Sequence, residues 1–236
     1  MKRIIIDDAI VEKHPDFYRA ALIVQDAKNS LENSALSEML SNVGSARIGM
    51  DVNSHPAVRA WDDAHIKSGL NPNKYPPSVK ALLRRVAGGQ PVPFINSAVA
   101  LFNIISISHV MPCGGDDTDK IMGDLVLGIA DGSENFIPLG QPDKIEHPSG
   151  GEVIYFDRGS NQVMCRRWNW RNGDITKLRL STRNMVINVD CLPPVSRADA
   201  DRARDELAAL LVRYCEAKVE FHFLDRDQRE ILLPDF

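Results

Sequence analysis

The sequence predicts an α+β fold in which helices flank a curled antiparallel or mixed sheet, a β-barrel-like core. Three observations predict it. Apolar residues recur at helical spacing before residue 110, short apolar runs separated by Gly and Asn turns follow from 125 to 189, and a helix-start signature stands at Ser196.

The segments 3–6 and 20–24 are short apolar runs on either side of a His14-Pro15 break, and both predict strands. From 54 to 69 the period changes. Ser54 is the expected cap, Pro56 suits a first turn, and Val58, Trp61 and His65 share a face up to Gly69. Residues 69–78 hold three prolines among turn formers and predict a stiff, extended connection. Val79, Leu82, Leu83 and Val86 then form one apolar stripe that starts at Ser78 and ends at Gly88-Gly89. Residues 96–109 are almost wholly apolar and predict a helix buried on most sides, with Asn96 and Asn103 on one face. Strands are expected at 125–130, 152–156, 162–166, 176–181 and 185–189. Ser196 and Asp199 match a capping pattern for a helix carrying Leu207, Leu211 and Tyr214, and 219–224 returns as a last strand. No repeat or low-complexity linker divides the 236 residues, so a single domain over 1–236 is expected.

Composition narrows the classes of function. The chain is 44% hydrophobic and 25% charged, near the globular average, with a formal net charge of −4 that would repel a phosphate backbone overall. Its opening apolar run is three residues long, too short for a secretory leader, and no stretch approaches a membrane span. A cytoplasmic, reduced setting is expected, with Cys113, Cys165, Cys191 and Cys215 as free thiols. No cysteine or histidine spacing fits a metal centre, and the signatures of serine hydrolases, P-loop enzymes and dinucleotide enzymes are missing. Neither a metal nor a cofactor is expected.

Two segments carry candidate chemistry. Asp116, Asp117 and Asp119 follow Gly114-Gly115; they predict a turn in which a carboxylate bonds its own backbone, ahead of cation binding. From 157 to 183 the chain carries a local excess of +5, with Arg166, Arg167, Trp168, Trp170 and Arg171 interleaved. Arginine and tryptophan together suit phosphate binding and base stacking, as in single-stranded RNA recognition. Strand alternation offers the other reading, Arg166 outward with Trp168 and Trp170 packed inside.

The order of motifs adds a resemblance. Asn71-Pro-Asn-Lys-Tyr-Pro-Pro-Ser78, Val92-Pro-Phe-Ile-Asn96, Phe102-Asn103, Gly115 with Asp117 and Asp119, Gly151-Glu152-Val-Ile-Tyr-Phe-Asp157, and Cys165-Arg-Arg-Trp-Asn-Trp-Arg171 occur in sequence. Together they resemble the B3/B4 domain family, the editing module of the phenylalanyl-tRNA synthetase β-subunit, which also occurs free-standing. The resemblance is clearest over 54–190. It implies a B3/B4 fold and a free-standing protein that binds tRNA or aminoacyl-tRNA, takes the amino-acid moiety as ligand, and hydrolyses the misacylated ester in trans. A non-catalytic RNA- or amino-acid-binding protein is the alternative. By position the resemblance nominates Asn96, Asn103, Gly115, Asp117, Asn169, Thr182 and Asn188 for the pocket. Arg166, Arg167, Trp168 and Arg171 are the candidates for RNA. Three positions depart from the synthetase pattern: Gly114 replaces a histidine, Ala100 an aspartate, and Asn188 the editing glutamate.

Overall fold

In the computed structural model, residues 2–234 are described. The chain opens with β1 (Arg3–Ile6), α1 (Asp8–Lys13) and β2 (Tyr18–Gln25), followed by four helices: α2 (Ser34–Ser45), α3 (Pro56–Lys67), α4 (Ser78–Ala87) and α5 (Ser97–His109). Strands β3 (Cys113–Asp117), β4 (Leu125–Ile129), β5 (Val153–Asp157), β6 (Gln162–Arg166), β7 (Arg171–Asn172) and β8 (Met185–Cys191) come next. Helix α6 (Arg197–Cys215), β9 (Lys218–Leu224) and β10 (Glu230–Leu232) complete the described chain.

The strands form two sheets, ordered β10-β1-β4-β5-β6-β7 and β3-β8-β2-β9. All pairings between named strands are antiparallel except β1 with β4. The core is therefore two open sheets rather than a closed barrel. Strands β2 and β8 are buried along almost their whole length, which explains their unbroken apolar runs. Helix α5 is apolar nearly all round because it too is covered on most sides.

Several boundaries differ from expectation for local reasons. Ser54 donates to the Asp51 carbonyl and does not cap α3, whose N-cap is His55 with Pro56 in the first turn. Ser78 is the first residue of α4, behind Pro77. Asn96 stands outside α5 as its N-cap, accepting from Val99 N at 3.0 Å, so Asn96 and Asn103 do not share a helical face. Residues 176–181 form no strand: Asn96 Nδ2 bonds the Leu178 carbonyl, and the segment lies against the start of α5 instead of joining a ladder. Conversely, the expected aspartate turn begins only at Asp117, and a strand, Cys113–Asp117, precedes it. The strand's two glycines weaken β-propensity, but pairing along β8 overrides it. Helix α2 is an element beyond those expected, with its own local signal: Asn33 caps it, and Leu36, Leu40 and Gly44 recur every four residues on its buried face.

Candidate functional site

Side-chain alternation brings one face of the four-stranded sheet together. Asn188 and Asp190 lie two apart on β8, and their partners across the ladders are Ala21 and Arg19 of β2, with Gly114 of β3 opposite Asn188. Asp116, two residues beyond Gly114, points the same way. Facing them across the second sheet are Tyr155 of β5 and its ladder partner Cys165 of β6. Trp168 and Asn169 from the β6–β7 turn, Asn172 and Ser78 close the sides. These groups line a cavity of about 70 Å³ between the two sheets.

Arg19 organises the cavity. Its Nε donates to Asp190 Oδ1 at 2.6 Å and its Nη2 to Oδ2 at 2.9 Å, while the guanidinium lies 4.8 Å over the Tyr155 ring. The third nitrogen, Nη1, is buried without a partner in the protein. So are Tyr155 Oη, Trp168 Nε1, Asn169 Nδ2 and Asn188 Oδ1. Buried polar groups are nearly always bonded; Asn188 and Tyr155 adjoin each other, and the orphaned atoms gathered around one cavity suit a polar ligand or bound water.

The ionisable groups are tuned by burial. Desolvation raises the Asp116 carboxyl to about 6, against the opposing hydrogen bond from Thr176 Oγ1 at 2.6 Å and the charge of Arg19. Burial pushes the Tyr155 hydroxyl and the Cys165 thiol up, so at neutral pH both keep their protons. Cys165 is therefore no thiolate nucleophile. Asp116 is the one cavity group whose raised pKa leaves it titrating near neutrality.

The β6–β7 turn holds two consecutive non-glycine residues in the left-handed region, Arg167 at φ 49° and Trp168 at φ 64°. That conformation costs roughly 1–2 kcal/mol per residue. It is held by Trp168 N to Val153 O at 2.7 Å and by packing of the indole edge-on to His14, Phe17 and Trp61. The next residue, Asn169, is anchored through Oδ1 to His65 Nε2 at 3.3 Å and through its carbonyl to Ser78 N at 3.0 Å. The strain aims Trp168 and Asn169 at the cavity.

Of the nominated pocket residues, Gly115, Asn169 and Asn188 line the cavity, as does Trp168 from the RNA set. Four lie elsewhere. Asn96 is spent on the α5 cap and Leu178. Asn103 is half-buried on α5 and does not line the cavity. Asp117, on the opposite face of β3 from Asp116, accepts from Thr182 Oγ1 at 2.6 Å and from Asp119 N, the backbone turn that the sequence suggested. Arg166 is buried and does not face outward. It donates twice to Glu152 at 2.8 Å and once to Glu146 at 3.0 Å, which removes it from any RNA-facing surface. Arg167 and Arg171 stay nearer solvent. The Arg167 guanidinium lies 3.9 Å from the Tyr75 ring and 4.7 Å from that of Trp170, with Arg171 5.8 Å from Trp170.

Sequence reasoning missed Arg19, Tyr155 and Asp190, and singled out Asp116 only as part of a turn. A signal exists for the first, an arginine directly against the apolar run that follows it in β2, just outside the expected strand at 20–24. Among the described residues no cluster of three or more His, Cys, Asp or Glu side chains is placed to hold a metal ion. No described helix is long and apolar enough to cross a membrane.

The model of the B3/4 domain family matches residues 60–216, from α3 to the turn after α6. The chain belongs to the B3/4 domain family. Among solved structures, the B3/4 protein is similar to an N-terminal fragment of the phenylalanyl-tRNA synthetase β-subunit from Pyrococcus horikoshii. Identity is 14% and the TM-score 0.49, and the similarity covers 98% of this chain and 54% of that one. The B3/4 protein thus spans about half the length of that chain. No curated protein matches its sequence.

Proposed function

We propose that the B3/4 protein binds the aminoacyl end of a tRNA in the inter-sheet cavity and hydrolyses the ester in trans. The observation that carries this reading is the pairing of buried, unpartnered donors with a carboxyl that titrates near neutrality. Arg19 Nη1 and Tyr155 Oη would donate to the ester carbonyl oxygen and stabilise the oxyanion that forms as water adds. Asn188 Oδ1 accepts from the α-ammonium group. Asp116 takes the proton from the attacking water. The bond between the acyl carbon and the ribose oxygen then breaks, and the proton passes to that oxygen, releasing a free amino acid and a ribose hydroxyl. An aminoacyl ester is already activated, so positioning and electrostatics suffice without a covalent nucleophile.

The RNA would reach the cavity over the cluster of Tyr75, Arg167 and Trp170, where the two rings meet edge-on and the guanidinium lies against both, beside Ser78 and Asn169. Incubating the protein with a panel of mischarged tRNAs and following ester loss tests the reading. Hydrolysis above the buffer rate is expected on at least one, and Asp116→Asn should lower it about 10²–10⁴-fold. Rates equal to buffer across the panel would overturn it.

A further inference from the structure

We infer, resting on the ester-binding reading above, that the cavity admits only small acyl groups, of glycyl, alanyl or seryl size, and rejects aromatic ones. Volume is the first argument. The cavity holds about 70 Å³, whereas a cavity of about 150 Å³ is the size known to hold a benzene ring. A phenyl or phenol side chain exceeds the space between the sheets and would have to project through the open side of the cleft, away from the Tyr155 and Trp168 walls.

The walls do not yield cheaply. Trp168 is wedged among three other rings, and Tyr155 lies under a guanidinium that is itself fixed by two bonds to Asp190. Both side chains sit on paired backbone, Tyr155 within a ladder and Trp168 through its bond to Val153. Widening the cavity would mean moving packed elements rather than a loop.

Gly114 supplies what room there is. A Cβ built on it meets no atom within 4 Å, and its backbone is not in the left-handed region, so a side chain there would stand in the cavity without straining the chain. It faces Asn188 across the ladder, directly where the ammonium is expected.

The test uses hydrolysis-resistant probes, the L-alanyl, L-seryl and L-tyrosyl amides of 3′-amino-3′-deoxyadenosine, titrated by calorimetry into the full chain. The alanyl and seryl amides should bind at least 100-fold more tightly than the tyrosyl amide. Gly114→Val should weaken the alanyl amide more than tenfold while leaving the melting temperature within a few degrees. A tyrosyl amide within tenfold of the alanyl one overturns the inference, as does an absence of binding by all three or an unaffected Gly114→Val. Hydrolysis separates this from the parent reading. Small amides that bind while no mischarged tRNA is cleaved would sink the deacylase and leave the size limit standing. Cleavage of tyrosyl-tRNA as fast as seryl-tRNA would do the reverse.

Discussion

Arg19 and Asp190 neutralise each other in the interior, and the bidentate geometry leaves one guanidinium nitrogen for the cavity. Arg19→Ala would strand a buried carboxylate, an outcome that costs about 3–5 kcal/mol; urea unfolding should show a loss of that order. Asp116 gives a separate signature in pH. In the proposed hydrolysis Asp116 acts as the base and must be ionised, so kcat/KM should rise about tenfold per pH unit below 6 and level off above it. The stability effect has the opposite sense. A carboxyl whose folded pKa is raised favours the folded state while protonated, so its contribution is full below about pH 4 and lost as pH rises through about 6. Wild type should therefore lose stability relative to Asp116→Asn across that interval, which paired urea titrations check. Neither role is legible in the sequence, because Asp116 and Asp117 are adjacent and only strand alternation separates them. One points into the cavity and the other to Thr182.

Among the elements, α3, α4, α5 and α6 were legible because their apolar residues repeat with helical period. β2 and β8 were legible because burial on both faces leaves a continuous apolar run. β3 was not, since glycine and aspartate carry a turn signature that only its partner β8 overrides. The same logic separates the nominated residues. Asn96→Ala removes a cap and the bond to Leu178, so a loss of about 1–2 kcal/mol is expected, with hydrolysis of small esters retained in a single-turnover assay. The basic strand region divides likewise. Arg166→Ala breaks a buried network with Glu152 and Glu146, so a melt should show about 3–5 kcal/mol of destabilisation. Arg171→Ala, half-exposed and 3.7 Å from Glu146, should stay within about 0.5 kcal/mol of wild type yet weaken tRNA in a filter-binding assay.

At the scale of the molecule, the +5 excess between 157 and 183 is offset by acid brought in from elsewhere. Glu146 and Glu152 serve Arg166, Arg167 and Arg171, and Asp26 pairs with Arg183. Within the segment, Asp174 holds Lys177 and Arg179. An acidic protein whose basic segment is internally paired has few cations left for phosphate. About three phosphate contacts, from Lys74 and from Arg167 and Arg171, whose carboxylate partners stand off at 3.6 and 3.7 Å, would give a slope near −2 in log K against log salt. A slope steeper than −5 would require a much wider basic face.

The sequence by itself determined the α+β class, the principal helices and the family. All three rest on local periodicity and on the order of motifs along the chain, which survive without knowing what touches what. The tertiary structure decided that the sheets stay open. It also decided that Arg166 is structural, and that the cavity is built around Arg19, Asp116, Tyr155 and Asp190. Those four come from four strands, β2, β3, β5 and β8, up to 171 positions apart across the Arg19–Asp190 pair. Their chemistry depends on being desolvated together, and desolvation is a property of the packed sheets rather than of any segment.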